Sequence, residues 1–369
     1  MNQRLAALRF ITLCLSDERP ETTEGLRAQI GAGTLSWELV VGLANNHLLT
    51  PALWVALDRR GLTENLPEDL GQYLRELHSL NAQRNNRLQA QLLETVTQLN
   101  AVNIVPVLLK GAMHLVSDIY PDKGVRIMSD IDLLVAREDI DRCLTALHQL
   151  GYQAEPDSAH DYPDNHHHCA PVFRPGDYGS VEIHRELTEG GATILPAHIA
   201  LAHAEPVTFR GLSMKVLSPT HRTLHNILHS QITDHNYASG RLPLRSLYEV
   251  ASENAACADR LDWSALHTRM RRRNGKVLRT YLYLAQRLFG MPLPPAVPMR
   301  PDCQLFYLRC CAQFMWDWAD TWGVRMGRFS VDSICRKYAC KDHWLTVNRA
   351  RLREAQRRIA NRLWRTRDI

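Results

Sequence analysis

The stretch "LLKGAMHLVSDIYPDKGVRIMSDIDLLV", Leu108 to Val135, decides the fold. It opens on an apolar run, passes through Lys110-Gly111, and continues as "GAMHLVSDIY", which reads as a helix. It ends on "SDIDLLVA" (129–136), a second apolar run that reads as a strand. Two aspartates, Asp130 and Asp132, stand one residue apart at its start. A buried strand avoids unpaired carboxylates, because desolvating a charge without a partner is costly. Residues two apart on a strand share a face, so Asp130 and Asp132 project side by side. Two such charges repel, and one is protonated unless a cation stands between them. A divalent metal answers this: hard cations prefer carboxylate oxygens, and Mg²⁺ often takes one or two of them together with substrate phosphates.

Working outward, residues 1–100 read as helices. Leu70, Leu74, Leu77 and Leu80, then Leu88, Leu92, Leu93, Val96 and Leu99, recur at three- and four-residue steps. Pro67 opens that helix at a favourable first-turn position. "IVPVLLK" (104–110) is short, apolar and rich in branched residues, and predicts a buried strand. "REDIDRCLTALHQLGY" predicts a helix, with acids in its first turn and Gly151 just past its end. "HHCAPVF" and "SVEIH" predict two strands joined by a turn at Pro175-Gly176-Asp177. From Pro219 on the pattern is helical, with a linker at 289–303. The fold class is therefore α+β. A helical N-terminal region (1–100) and a helical C-terminal region with a basic tail (216–369) flank an α/β core (101–215).

Glu182, in "VEIHREL", is a third carboxylate in a strand. If its strand lies beside that of Asp130 and Asp132, three acids converge as in two-metal phosphoryl or nucleotidyl transfer. Upstream, a helix N-terminus after Lys110-Gly111 offers free N–H groups to phosphate. Lys110 adds a cation, Gly111 permits close backbone approach, and Arg126 is placed to grip phosphate bidentately. His184 follows Glu182 by two residues and shares its face, where it orients substrate or a carboxylate, or packs as a hydrogen-bonded core histidine.

With these residues in order, the chain resembles the uncharacterised nucleotidyltransferase family of the DNA polymerase β-like superfamily. The resemblance rests on "LKGAMHL", "SDIDLLV", "LGY" and "VEIHREL", covers about 90–190, and extends more loosely to 40–60 and 215–252. It implies a minimal nucleotidyltransferase fold, a small mixed sheet backed by helices. It also implies metal-dependent transfer of a nucleoside monophosphate from an NTP, with release of pyrophosphate. By position, Asp130 and Asp132 would ligate Mg²⁺ (or Mn²⁺), Lys110 and Gly111 would frame the triphosphate, and Glu182 would be the third acid. Ala112 stands where the wider superfamily carries the Ser of Gly-Ser, and the spacing from Gly111 to Asp130 is longer than usual. That departure favours a second reading: a binding or regulatory module of the same fold that does not catalyse.

Bulk properties frame the partners. Of 369 residues, 45% are hydrophobic and 22% charged, an ordinary globular balance. The N-terminal apolar patch is interrupted by Arg9 and reads as a helix rather than a signal peptide. No run is long enough to span a membrane. Nine cysteines without a CxxC pair fit a reducing cytoplasm. The net charge is +5, yet from Thr321 onward 13 Lys/Arg face only 4 Asp/Glu, so the body is mildly acidic and the tail strongly basic. The acidic body favours a small-molecule hydroxyl acceptor, with protein or RNA second. The tail, striped by Leu352, Ala355, Ile359 and Leu363, reads as a solvated docked helix before a nucleic-acid contact. His166-His167-His168 reads as ordinary polar sequence rather than a metal site, although strand alternation pairs His166 with His168. His221, His225 and His229, four apart, read as cleft-lining side chains before Zn²⁺ ligands, and the Trp-rich 315–322 as core.

Overall fold

The computed structural model describes residues 2–16, 19–117, 119–120, 122–155, 162, 166–189, 193–271 and 274–327. The basic tail lies outside them. Four helices come first: α1 (Gln3–Ser16), α2 (Pro20–Gly31), α3 (Trp37–Asn46) and α4 (Thr50–Arg59). Prolines stand in the first turns of α2 and α4, and the Ser36 hydroxyl caps α3 by accepting from the Leu39 N–H. Then α5 (Glu68–Ala101) runs for 34 residues behind Pro67, about 51 Å at the usual helical rise.

The apolar stripe of α5 serves two cores. Leu70 and Leu74 enter one with Phe10, Leu53, Leu57 and residues from the C-terminal helices. Leu88, Leu92, Val96 and Leu99 enter another, against the sheet. Leu80, expected in the stripe, is 60% exposed, because it falls where the helix passes from one core to the other.

The sheet has seven strands in the order β3-β4-β5-β2-β1-β7-β6. These are β1 (Val107–Leu108), β2 (Asp130–Leu134), β3 (Gln153–Ala154), β4 (Val172–Phe173), β5 (Ser180–His184), β6 (Glu205–Phe209) and β7 (Leu212–Val216). The central pair β2 and β5 is parallel and in register, Asp132 opposite Glu182 and Leu134 opposite His184. β1 is antiparallel to β2 and parallel to β7. α6 (Lys110–His114) and α7 (Ile140–Gln149) connect the early strands, and α8 (Ala197–Ala202) precedes β6. After the sheet come α9 (Pro219–Leu228), α10 (Asn236–Ser239), α11 (Leu244–Cys257), α12 (Trp263–Met270), α13 (Gly275–Phe289), α14 (Pro301–Met315) and α15 (Asp317–Gly327). Leu224, Leu247, Leu278 and Tyr281 from these helices share the first core with α1 and α4. The architecture is the α+β arrangement expected, a mixed sheet backed by helices.

Several boundaries differ from the pattern in the sequence. The strand expected over 104–110 pairs only at Val107–Leu108. Pro106 has no N–H to give, and at Lys110 the chain turns with φ 43°, a left-handed value uncommon outside glycine. The helix expected over 111–120 closes after His114. "HHCAPVF" contributes only Val172–Phe173, since Pro171 cannot donate to a ladder. The β6–β7 hairpin was not anticipated. It turns on Arg210 and Gly211, both left-handed (φ 51° and 80°), the geometry of a two-residue hairpin loop that keeps the strand twist. Trp316 and Trp318, expected in the core, are exposed and stack on each other across the α14–α15 junction. No described helix is long and apolar enough to cross a membrane. All seven described cysteines are buried, and none of them is in a disulfide.

Candidate active site

Two parallel strands and one turn build the cluster. The shared register of β2 and β5 puts Asp132 and Glu182 opposite each other, so the third acid does lie beside the first pair. The left-handed turn at Lys110 ends β1, which lies against β2, and brings the ammonium back across that strand. Lys110 Nζ donates to Asp132 Oδ1 at 2.7 Å, and His184 Nε2 meets the same oxygen at 2.8 Å. The other ring nitrogen of His184, Nδ1, faces the Glu186 carbonyl at 3.2 Å. Both partners can only accept, so both ring nitrogens carry protons and His184 is an imidazolium. Burial pushes the His184 pKa down, but the bond to Asp132 and the nearby Glu182 carboxylate more than reverse it and hold it above its ordinary value.

Asp132 is completely buried. Burial alone would push its carboxyl up, but the Lys110 ammonium and the His184 hydrogen bond overcome this and hold it well below the usual carboxylate range. Its second oxygen, Oδ2, is buried and has no partner. An orphaned carboxylate oxygen in a dry site is costly unless something occupies it. Asp130 sits at the mouth of the strand, half-buried. Burial first, then the charge of Asp132, hold its carboxyl above its ordinary value. Lys110 is kept above its ordinary value against its own burial by Asp132.

The ligand atoms of Asp132, Glu182 and His184 all lie within 4.8 Å of one another. Asp130 lies outside that group, two residues along the strand and opposite Ser180, and His184, protonated on both ring nitrogens, has no lone pair to offer a metal. Glu182 Oε2 stands 3.7 Å from His184 Nε2 and 3.8 Å from His168 Nε2. Three acids thus face two internal cations, and the cluster retains one excess negative charge. It suits a hard divalent cation: carboxylate oxygens, one of them unsatisfied, at the edge of a buried strand.

Two groups expected at phosphate already have protein neighbours. Arg126 Nε donates to Glu249 Oε1 of α11 at 3.0 Å, and the pair is nearly enclosed. Gly111 does leave a close approach, but protein fills it. A Cβ there would fall 2.7 Å from Met128 Sδ and closer still to Arg126 Nη1. Glycine at 111 admits the Arg126 side chain rather than a triphosphate.

Arg126 and Met128 stay in place through a device absent from the initial reading. Asn81, Asn85 and Gln89, four residues apart on one face of α5, are buried. Asn81 Nδ2 donates to the Gly124 and Arg126 carbonyls at 2.6 and 3.0 Å. Asn85 Nδ2 donates to those of Lys123 and Arg126 at 2.6 and 2.8 Å. Gln89 Nε2 donates to the Leu115 carbonyl. This ladder carries the loop between α6 and β2. The signal was present, as amides at helical spacing, but their partners lie across the loop.

Beyond Lys110 a narrow cleft of about 90 Å³ opens between α6, α9 and α11. Lys110, His114, Arg126, Arg222, His225 and His229 face it. Arg222 is paired with Glu253 as Arg126 is with Glu249. Of the three histidines four apart, His225 and His229 line this cleft, while His221 meets His203 edge to face. They do not form a metal-sized group among the described residues.

The family model described as "Uncharacterised nucleotidyltransferase" matches residues 33–290, which take in α5, the whole sheet and the helices through α13. No curated protein matches the chain.

Proposed function

The chain belongs to the uncharacterised nucleotidyltransferase family, and on that premise we propose that it moves a nucleoside monophosphate from an NTP to a hydroxyl acceptor. Pyrophosphate leaves. One observation carries the reading: Asp132 and Glu182 stand opposite each other on parallel strands, and the buried Oδ2 of Asp132 is unpartnered. Asp132, Glu182 and, from the strand mouth, Asp130 are the residues that would hold Mg²⁺ or Mn²⁺. When bound, such an ion supplies Lewis-acid stabilisation of charge on phosphoryl oxygens.

The chain's own groups divide the remaining work. His184 fixes the orientation of Asp132 by its 2.8 Å bond. Lys110 links the cluster to the cleft, since it both touches Asp132 and faces that space, and its ammonium is placed to meet the anionic phosphates. Glu182, with no hydrogen-bond partner nearer than the two imidazoles at 3.7 and 3.8 Å, is placed to take the proton of the acceptor hydroxyl. The cleft beyond Lys110 accommodates a small molecule better than a polymer, because its arginines are already bound to Glu249 and Glu253. This favours a small-molecule acceptor.

The test is transfer of label from α-labelled NTPs with Mg²⁺ across a panel of small hydroxyl compounds. Asp132→Asn, nearly isosteric, is expected to reduce transfer to background. Transfer that persists in Asp132→Asn would remove the cluster from the mechanism.

A second reading has its own support. Lys110 and His184 already neutralise most of the cluster, and Gly111 is occupied by the protein itself. A non-catalytic binding or regulatory module of this fold, associated with nucleic acid through the basic tail, would have these features. It predicts no Mg²⁺-dependent NTP binding in calorimetry, and nucleic-acid affinity that falls steeply with salt and is lost when residues after about 340 are removed.

A further inference from the structure

The triple histidine at 166–168 is the one motif that the carboxylate cluster does not absorb. Consecutive residues on a regular strand alternate, which would separate His167 from its neighbours. The chain is bent here instead, and all three rings gather on one side. Their centroids are 4.4 Å (His166–His167), 4.4 Å (His166–His168) and 4.5 Å (His167–His168) apart. Their ligand nitrogens all lie within 4.8 Å of one another.

The backbone that carries them is pinned. The Arg185 and Glu186 N–H groups both donate to the His167 carbonyl, at 2.8 and 2.9 Å, and the Cys169 N–H donates to the Ile183 carbonyl at 2.8 Å. The rings are prepared as ligands as well. His168 Nδ1 donates to the Cys169 carbonyl at 2.7 Å, which leaves the lone pair on Nε2. Fixing the tautomer through a carbonyl on the far nitrogen is the usual support for a metal-bound imidazole. His166 Nδ1 lies against its own backbone turn, 3.1 Å from the His168 carbonyl and 3.4 Å from the His168 nitrogen, so Nε2 is the free end. His167 Nδ1 is buried with no partner. The 3.8 Å from His168 Nε2 to Glu182 Oε2 is too long for a hydrogen bond. It fits two ligands of one ion, each bonded at about 2.0–2.2 Å.

We propose that His166, His167 and His168 bind one borderline transition-metal ion of the Zn²⁺ class, beside Glu182 of the carboxylate cluster. Imidazole nitrogens select such ions over Mg²⁺, so this site differs in kind from the carboxylate cluster it adjoins. It does not depend on nucleotidyl transfer: the cluster can fail as a catalyst and the histidines still bind.

The experiment uses the full chain without an affinity tag. Zn²⁺ is titrated calorimetrically in excess Mg²⁺, and Co²⁺ is added separately as a probe for visible ligand-field absorption. One equivalent of Zn²⁺ is expected, with X-ray absorption showing imidazole scattering. Affinity is expected to fall by roughly a hundredfold or more in His166→Ala and in His166→Gln/His167→Gln/His168→Gln, given that even supporting residues are worth 10–100-fold. Asp132→Asn is expected to keep Zn²⁺ binding. The proposal is overturned if the wild-type chain binds no Zn²⁺ under excess Mg²⁺. It is equally overturned if the folded His166→Ala variant binds as tightly as wild type, or if Asp132→Asn abolishes binding, which would place the ion on the carboxylates.

Discussion

Lys110 combines two effects of opposite sign, and substitution separates them. Its ammonium is the closest cation to a completely buried carboxylate, 2.7 Å from Asp132 Oδ1, with the lysine side chain 22% exposed. Removing one partner of a buried pair costs about 3–5 kcal/mol. His184 still holds Asp132, and the lysine end is partly wet, so Lys110→Ala is expected at the lower limit, about 3 kcal/mol. The backbone at this position has φ 43°. That conformation costs a non-glycine residue about 1–2 kcal/mol. Glycine avoids this cost but gives back about 0.4–1 kcal/mol through its freedom in the unfolded chain. Lys110→Gly should therefore be more stable than Lys110→Ala by up to about 1.6 kcal/mol, although both lose the charge. Urea titrations of wild type and both variants, compared at equal slope, give the numbers. A cost below about 1 kcal/mol for Lys110→Ala would show that the ammonium is not what keeps Asp132 ionised. An alanine variant at least as stable as the glycine variant would refute the assignment of strain to this turn.

Three other outcomes are expected. Asn85→Leu leaves the Lys123 carbonyl without its α5 donor and weakens the hold on that of Arg126, at about 2–3 kcal/mol, and limited proteolysis should nick the chain between residues 115 and 126. His225 donates Nε2–H to the Leu187 carbonyl, and burial, then the charges of Lys110 and His229, hold its pKa well below the ordinary value. It is neutral when folded and gains a proton on unfolding below about pH 6.5, so its contribution is present above that pH and lost as pH falls, about 2 kcal/mol by pH 5. Urea midpoints measured from pH 7 to pH 5 should decline, and His225→Leu should flatten the slope by one proton's worth. Leu80→Lys should stay within about 0.5 kcal/mol of wild type, whereas Leu92→Ala, on the same helix but facing the sheet, should cost about 2–5 kcal/mol in thermal or urea unfolding.

What could be read in the sequence follows from the range of the interactions involved. That Asp132 and Glu182 each stand in a short apolar strand was legible because strand alternation is local, but whether the two strands are neighbours stayed a condition that only the register between β2 and β5 answers. The role of His184 was half legible: its face followed from spacing, but the choice of Asp132 as partner needed the register between β2 and β5. Arg126 misled because its partner, Glu249, stands 123 residues away on α11, and no local pattern announces such a pair. Gly111 misled for a related reason: the atoms that need its missing Cβ belong to Arg126 and Met128. The β6–β7 hairpin was missed although Arg210-Gly211 is a turn signal, because the flanking strands carry half-exposed residues that blur the alternation. Trp316 and Trp318 were assigned to the core on hydrophobicity alone, which does not say which side of a helix junction faces water.

The length of α5 carries a further consequence. Leu74 belongs to the helical core and Leu88 to the sheet core, with one unbroken helix between them. A residue inserted in that interval would rotate everything after it by about 100° and advance it by about 1.5 Å. The amides that hold the loop would swing away from their carbonyls, or one of the two apolar stripes would turn to water. The shortest addition that nearly restores the angular phase is seven residues, and it drives the two cores about 10 Å apart. Loops elsewhere can lengthen freely across descendants of this chain, but here length is quantised, and the helix acts as a ruler between the helical body and the sheet.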